Sequence, residues 1–550
     1  MRAKFATFGL ITLCIAAAPA TANAFCGFYV SGAEGKIFNN ATQVVLMRHN
    51  TRTVMSMQNN YEGPPQDFAM VVPVPVVLQK ENVKTLPESV FDRVDKLAAP
   101  RLVEYWEKDP CQFRRPGRKS RSMAKPSAGA AKEEATDKKK DLGVTIEAKF
   151  EVKEYQILIL SAKDSTGLDT WLRREKYKIP QGAAAALKPY VAAGMKFFVA
   201  KVDYKKVRMV KQRPTLRPLR FHFDSPTFSL PIRLGMLNSK GKQDLIVHIL
   251  APNKRYEVAN YKNVLIPTNL DVSNATRKHF GEFYAALFDA TLKKNPGAVV
   301  TEYSWDSNTC DPCPTPPLGY RDLAYLGTDV LYAPPAVTTP PPTPPTTQPA
   351  TGTTAAGPPS RTMVRRRPMR RFRRGLVLTR LHARYGKDSV KNDLVFKVAN
   401  AIQGGREGFG GKRRRFRRSS SRNMFQGRYA IRHKWTGRID CKNPQRGRWG
   451  GPPRNSHRRN PGAKAALDLA FAKRGAKLTR FVRTDVPALG IKAAGAPAVA
   501  APVKTTTAKP KTKSKKKKGC SVTGSGNGTT STLLLLGAAV LLARRSRRRR

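Results

Sequence analysis

The sequence predicts an α+β domain in which mixed and antiparallel sheets are accompanied by a few helices. Three observations support this prediction: strand-length apolar runs follow one another, one long helical pattern stands out, and cysteines recur along the chain. Strands that occur in runs, rather than alternating regularly with helices, are typical of α+β proteins. We expect disulfides to brace the domain, and disordered basic and Pro/Thr-rich insertions to interrupt it.

Alternating and apolar runs predict the strands. The first two flank His49-Asn50, which is a predicted hairpin turn. The predicted strands are 43–48, 52–58, 68–77, 144–150, 155–160, 196–202, 244–250, 264–267, 299–305, 375–385 and 394–398.

The clearest helix is predicted over Ser273–Lys294, with Ser273 as its cap and Asn295-Pro296-Gly297 as its end. A second helical pattern over 90–105 is interrupted at Pro100, which predicts two short helices or one kinked helix. The apolar stripe of the long helix is assigned to the core and comprises Phe280, Phe283, Tyr284, Leu287 and Phe288.

The N-terminus has the features of a secretory signal peptide. Basic Arg2 and Lys4 precede an apolar run, and the small-residue pattern Ala22-Asn23-Ala24 follows it. Because this order is typical of exported proteins, we expect cleavage after Ala24 and residence outside the cytoplasm.

The C-terminus has the features of a membrane anchor. The apolar run Leu533–Ala543 has eleven residues, or roughly 16 Å as a helix, against a hydrocarbon core of about 30 Å. The uncharged spacer before it would complete a marginal span, and six arginines end the chain. A processed anchor is favoured, and a permanent transmembrane helix is the alternative.

Charge divides the chain into two regimes. Residues 361–550 contain 52 lysines and arginines against 6 acidic residues, whereas residues 1–360 contain 49 against 32. Low-complexity stretches mark the boundaries, because such segments cannot bury enough apolar surface to fold. The predicted organisation is a signal peptide (1–24), a main α+β domain (25–332) with an insertion at about 114–141, a Pro/Thr linker and arginine-rich loop (333–374), a satellite or returning part of the main domain (375–453), a basic stalk (454–518) and a sorting segment (519–550).

Cysteine pairing is the strongest chemical expectation. An exported chain keeps its thiols oxidised, and Cys310-Asp311-Pro312-Cys313 has the Cys-x-x-Cys spacing of disulfide, zinc and redox sites. Structural disulfides that link this pair to Cys26 and Cys111 are favoured, which leaves Cys441 as the odd thiol. A four-thiolate zinc site and a redox motif are the alternatives.

The sequence gives no catalytic residue, metal site or cofactor. The seven histidines are scattered without metal-ligand spacing. The sequence has no Gly-x-Ser-x-Gly nucleophile elbow, no phosphate-binding Walker loop and no dinucleotide-binding fingerprint. His248 in LIVHIL is interpreted as a strand residue with a hydrogen-bond partner. Asp164 and Asp169 either cap a helix or hold a cation, and capping is favoured because Asp and Ser precede a helical pattern.

Most of the chain resembles domain-of-unknown-function family 2330. The resemblance runs from about Phe25 to Pro453 and rests on stretches such as AFCGFYVSGAEGKIFNNATQVVLMR, SAKDSTGLDTWLRREKYKIP and WTGRIDCKNPQRGRWGGPP. It implies a secreted bacterial surface domain with no established activity or catalytic residues. The arginine loops near 365–374 and 412–418 depart from the family pattern.

The last residues are similar to the myxobacterial C-terminal sorting signal, called MYXO-CTERM. Gly519-Cys520-Ser521, a Gly/Ser/Asn spacer, a leucine-rich segment and terminal arginines carry the resemblance. It implies that Cys520 is the attachment residue and that 521–550 is removed by a sorting protease.

These observations predict an exported, envelope-anchored, non-enzymatic surface protein. One alternative is an envelope enzyme with an unrecognised active site. Another is a polyanion-binding adhesin or matrix protein. In the arginine loops, arginines flank Phe372 and Phe416 on both sides, and such basic loops attract polyanions. The expected partners are the membrane, a sorting protease and extracellular polyanions, with no sequence-specific binding to nucleic acid.

Overall fold

A ten-stranded mixed sheet is the central element of the computed structural model. The structure describes residues 28–31, 38–62, 68–111, 144–177, 179–210, 213–238, 241–332, 375–386, 389, 391–406, 422–452, 463–466 and 472–493. The described residues fall within one compact unit, residues 1–496.

The strands of this part of the chain are numbered in order. They are β1 (Phe28–Ser31), β2 (Phe38–His49), β3 (Arg52–Glu62), β4 (Phe68–Val74), β5 (Val83–Thr85), β6 (Arg101–Glu107), β7 (Val144–Val152), β8 (Tyr155–Ala162), β9 (Lys196–Val202), β10 (Arg208–Val210), β11 (Arg213–Thr215), β12 (Leu219–Asp224), β13 (Ser229–Leu230), β14 (Gln243–Pro252), β15 (Arg255–Val258), β16 (Asn263–Leu265), β17 (Leu270–Asp271), β18 (Val299–Asp306), β19 (Leu376–Tyr385), β20 (Leu394–Ala399), β21 (Gln403–Gly404), β22 (Met424–Gln426), β23 (Arg428–His433), β24 (Trp449–Gly450) and β25 (Lys464–Ala465).

The α-helices are numbered in the same way, and the fourth is the longest of those described, with 15 residues. They are α1 (Glu88–Ala98), α2 (Ser165–Arg174), α3 (Ala183–Ala192), α4 (Phe280–Lys294), α5 (Tyr320–Leu323) and α6 (Asp329–Leu331), with a π-helical turn at Ala324–Thr328 between the last two.

The central sheet has the order β21-β22-β18-β19-β14-β2-β3-β12-β5, and β16 pairs with β18. β14 pairs in parallel with β2 and antiparallel with β19. The β2–β3 hairpin turns at Asn50, whose φ of 53° lies in the left-handed region that asparagine tolerates. A strand from beyond the Pro/Thr linker therefore lies in the middle of the sheet.

A five-stranded sheet, β1-β4-β9-β8-β7, packs on one face of the central sheet. The side chains between the two sheets form the largest apolar cluster, which includes Val44, Leu46, Val247, Ile157 and Phe198. Helices α2 and α3 cover the outer face of the five-stranded sheet with Leu168, Leu172 and Leu187. This arrangement buries one face of each sheet, as two-sheet packing requires.

Helices α1 and α4 cover the other face of the central sheet. Val90, Val94 and Leu97 of α1 pack with the β2 and β18 side chains, and the predicted aromatic stripe of α4 packs against Tyr429. A further sheet has the order β17-β23-β6-β24, and β25 also pairs with β6. Its Leu102 and Ile431 pack in the same apolar cluster as the buried side chains of α4.

The α+β class with mixed and antiparallel sheets and two disulfides is confirmed. The predicted helix after Pro100 is wrong, because Arg101–Glu107 is a strand that pairs in parallel with β23. The long helix also begins later than predicted. Ser273 precedes a 3₁₀ turn over Asn274–Arg277, and α4 starts at Phe280.

Candidate functional site

A row of ionisable side chains crosses the helix-covered face of the central sheet. In the antiparallel β14–β19 pair, Asp244 lies opposite Arg384 and His248 lies opposite Arg380. Because alternate residues of a strand share a face, His382 lies on the same face between the two arginines. The core of this row is nearly inaccessible, with 0–2% exposure for Asp244, His248, Glu302, Arg380 and His382.

Glu302 enters the row through a β-bulge. Thr301 pairs with Leu381 and Tyr303 pairs with Arg380, so Glu302 is the extra residue of β18. Its carbonyl accepts a hydrogen bond from the amide of Gly427 at 2.8 Å. Since a bulge redirects the side chain of the extra residue, it places this carboxylate between Arg380 and His382.

His382 lies between two carboxylates. Its Nδ1 is 2.7 Å from Oε1 of Glu302, and its Nε2 is 3.0 Å from Oδ1 of Asp244. The ring stacks on Phe288 of α4 with 3.9 Å between centroids. An imidazolium donates at both nitrogens, so this geometry suits the protonated ring.

Arg380 connects Glu302 to α1. Its Nε donates to Oε2 of Glu302 at 2.6 Å, and its Nη1 donates to Oδ1 of Asp95. The same Nη1 lies 3.3 Å from Nε2 of His248, which must accept because a guanidinium has no acceptor. His248 is therefore held as the neutral tautomer with its proton on Nδ1.

The pKa shifts agree with these assignments. Burial alone would raise the pKa of the Glu302 carboxyl, but the charges of His382 and Arg380 overcome it and lower the pKa to about 2. Burial would lower the pKa of His382, yet Glu302 and Asp244 raise it above the ordinary value. Burial and the charge of Arg380 together hold the pKa of His248 well below its usual range.

The network reaches the surface beside the C-terminal half of α4. Asp244 also accepts from Arg384 at 2.5 Å and from Arg474 at 2.9 Å, and Arg474 donates to Asp289. With His382 protonated, the charges balance. The four cations are Arg380, His382, Arg384 and Arg474, and the four anions are Asp95, Asp244, Asp289 and Glu302.

A groove of about 840 Å³ adjoins that surface end. One face of α4 and the segment 475–491 form its walls, with apolar Ala286, Ala290, Leu478, Leu489 and Ile491 among the lining residues. Its rim carries three exposed lysines, which make no ion pair with any described residue: Lys293, Lys294 and Lys477.

The buried network has the composition of an acid–base site but a closed geometry. Both nitrogens of His382 contact carboxylates, and Tyr284 donates its hydroxyl to Glu302 at 2.6 Å. A general base must reach the proton that it abstracts from a substrate. This imidazole and these carboxylates therefore bind one another below the protein surface and link α1 and α4 to the sheet.

The cysteines pair differently from the sequence prediction. Cys111 bonds to Cys441 and Cys310 bonds to Cys313. The expected link from the Cys310/Cys313 pair to Cys111 is therefore wrong, and Cys441 is not an odd thiol. Parallel pairing of β6 with β23 explains the difference, because it brings the segments that follow both strands together. Cys26 lies outside the described residues.

The remaining predicted positions have distinct outcomes. Asp164 caps α2 by accepting from the amide of Gly167 at 2.6 Å, and Asp169 pairs with Arg173 within that helix. His248 is a buried strand residue with a hydrogen-bond partner, as predicted. Ala24, Cys520 and the anchor Leu533–Ala543 lie outside the described residues.

Among the described residues, no cluster of three or more His, Cys, Asp or Glu residues could hold a metal ion. Among the same residues, no helix combines the length and apolarity needed to cross a bilayer.

Sequence reasoning missed Glu302, Arg380 and His382. One sequence feature could have indicated the two β19 residues. In GLVLTRLHARY, ionisable side chains occupy alternate positions of an otherwise apolar strand, at Arg380, His382 and Arg384. Glu302 gave no such signal, because its position on this face depends on the bulge.

Comparison with known proteins identifies one family. A family model described as "Uncharacterized protein conserved in bacteria (DUF2330)" matches residues 19–397, which is more than half of the chain. No curated protein and no solved structure matches.

Proposed function

We propose, from the premise that this chain belongs to the bacterial family DUF2330, that it is an exported, envelope-anchored surface protein without catalytic activity. Its α+β domain would act as a rigid body outside the cytoplasm. The basic stalk and the Cys520 sorting segment would tether it to the envelope, with residues 521–550 removed by a membrane protease.

The Cys111–Cys441 disulfide is the structural observation that supports export, beside the signal-peptide pattern of the N-terminus. It joins residues separated by 330 positions and so closes most of the domain into one loop. Disulfides of this kind persist in oxidising compartments and are rare in bacterial cytoplasm. A bond between distant segments favours a protein that folds after export.

Glu107 supports the rigidity of the same region. Its carboxylate accepts from the amides of Trp435 and Gly447 at 3.0 and 2.7 Å and from Arg446 at 2.9 Å. Burial alone would raise the pKa of Glu107, but these donors lower it, so the group stays ionised. The segment on the Cys441 side of the disulfide is thus fixed to β6 at several points.

The closed charge network supports a non-enzymatic role. Its acid–base groups pair with one another below the surface, and the groove beside it presents Asp289 already bound to Arg474. An ion-paired, buried cluster of this kind serves packing specificity better than proton transfer to a substrate.

Surface proteolysis tests the location. In the native host, external protease should degrade the protein on intact cells, and the protein should fractionate with the envelope. Cys520→Ala should abolish retention in the envelope, whereas the neighbouring Ser521→Ala should retain it. Protection of the wild-type chain in the cytosolic fraction would overturn the proposal.

The three lysines on the rim of the groove favour polyanion binding as a second candidate. Lys293, Lys294 and Lys477 surround the groove without acidic partners among the described residues, and the chain carries a net charge of +63. Basic surfaces bind polyanions by counterion release, which makes the affinity fall with salt.

Heparin chromatography of the full chain tests this candidate. Changing the three rim lysines to serine should lower the eluting salt concentration more than the same change at exposed Lys188, Lys254 and Lys262. Equal shifts for the two triple variants would reject a rim-specific site. The shift would then reflect net charge alone.

A further inference from the structure

The Cys310–Cys313 disulfide lies in a loop that other side chains already hold in place. Arg101 donates from Nη1 to the carbonyl of Pro312 at 2.9 Å, and Gln426 donates to the carbonyl of Asp311 at 2.5 Å. Arg406 pairs with the Asp311 carboxylate at 3.0 Å. Three side chains from distant positions therefore fix this loop independently of its disulfide.

The two sulfurs differ in their surroundings. Cys313 is exposed, whereas Cys310 is half-buried and packs against the apolar cluster that contains Val90, Val94 and Leu97 of α1. In thiol–disulfide exchange the attacking thiolate needs access to one sulfur, and the other sulfur must leave as a thiolate. The exposed Cys313 meets the first requirement.

Arg101 places a buried cation beside the same loop. It is fully buried, and its guanidinium donates to the carbonyls of Leu97, Ala99 and Pro312 and makes no ion pair with any described carboxylate. An adjacent cation lowers the pKa of a thiol and stabilises the thiolate. This buried positive charge contacts the backbone between the two cysteines.

We propose that Cys310–Cys313 is a dithiol–disulfide exchange site that oxidises one external dithiol per chain, stoichiometrically and without turnover. The substrate thiolate attacks Sγ of Cys313, the protein S–S bond breaks, and Cys310 leaves as a thiolate. The second substrate thiolate then attacks the substrate sulfur of the mixed disulfide and releases the Cys313 thiolate. Two electrons pass to the protein, the substrate becomes a disulfide, and its two thiol protons pass through solvent to the cysteines.

The Cys111–Cys441 bond is an internal control. The oxidised full chain is equilibrated in dithiothreitol redox buffers, or with a reduced Cys-x-x-Cys peptide, and its free thiols are alkylated and located by peptide mass. We expect at least tenfold preferential reduction of Cys310–Cys313 over Cys111–Cys441 while the chain stays folded. Exchange with dithiothreitol alone would indicate a small dithiol substrate, and exchange with the peptide alone would indicate a polypeptide substrate. Failure with both reductants would overturn the proposal.

Two variants test the roles of the two sulfurs. Reduced Cys310→Ser, which retains Cys313, should form a mixed disulfide with oxidised glutathione at least ten times faster than reduced Cys313→Ser. Equal rates would refute the assignment of Cys313 as the reacting sulfur. The wild-type titration decides the proposal even if a variant fails to fold.

Discussion

Oε1 of Glu302 lies 2.7 Å from Nδ1 of His382, and the carboxylate reaches the ring because Glu302 is the extra residue of a β-bulge. One irregularity in β18 thus determines the centre of a buried network that joins β14, β19, α1 and α4. The following predictions test the energetic role of this network and of the two disulfides.

Removing the charge of Glu302 should destabilise the domain strongly. Glu302→Gln leaves His382 and Arg380 buried without their shared carboxylate, and breaking a buried ion pair costs about 3–5 kcal/mol. Urea unfolding of the full chain measures the loss. The exposed Glu81→Gln should change the free energy of unfolding by less than about 0.5 kcal/mol. A Glu302→Gln loss as small as that of the control would show that the network contributes little.

The protonation of His382 should make stability depend on pH in a defined direction. Its folded pKa is raised, so its contribution is complete below about 6.5 and is lost as pH rises through the folded pKa. The difference in unfolding free energy between wild type and His382→Gln should therefore shrink above pH 6.5, by at most about 1.4 kcal/mol per pH unit.

His248 gives the opposite dependence and serves as the matched control. Its folded pKa is lowered, so below about pH 6.5 the unfolded chain binds a proton that the folded chain excludes. Wild type should lose stability relative to His248→Gln as pH falls below 6.5. Parallel pH profiles for the two variants would contradict the assigned protonation states.

The two disulfides should differ in their effect on stability. The loop-entropy relation gives about 6 kcal/mol for the long loop closed by Cys111–Cys441 and about 2 kcal/mol for the short Cys310–Cys313 loop. Denaturation of the two double-serine variants measures both. A larger loss for the Cys310/Cys313 variant would contradict the assigned structural role of Cys111–Cys441.

Truncation should show that β19 belongs to the core. A chain that ends at residue 333 lacks Leu376–Tyr385, which lies between β18 and β14. We expect it to lose cooperative unfolding, because both neighbours would expose unpaired strand edges and apolar side chains. A chain that ends at residue 496 keeps the whole compact unit and should unfold cooperatively. Folding of the shorter chain would refute the central position of β19.

Local patterns predicted much of the secondary structure. The strands around Val44, Tyr155, Val199 and Val247 and the apolar stripe of α4 are confirmed, because their periodicity reflects the faces that they bury. Arg101–Glu107 was missed because strand formation there depends on pairing with β23, more than 300 residues away. Local propensity contains no information on such a partner.

The charge network and the disulfide pairing depend on long-range topology in the same way. Asp244, Glu302 and His382 meet only because β19 inserts between β14 and β18. Cys111 meets Cys441 only because β6 and β23 run in parallel, so neither contact was predictable from residue order.

Intact mass of the protein extracted from the native envelope, measured before and after reduction, tests the central claim of export most directly. The proposal predicts a chain that begins at Phe25, ends with an adduct on Cys520 and contains the Cys111–Cys441 and Cys310–Cys313 disulfides. A chain that retains Met1 and residues 521–550, with all of its thiols reduced, would contradict it.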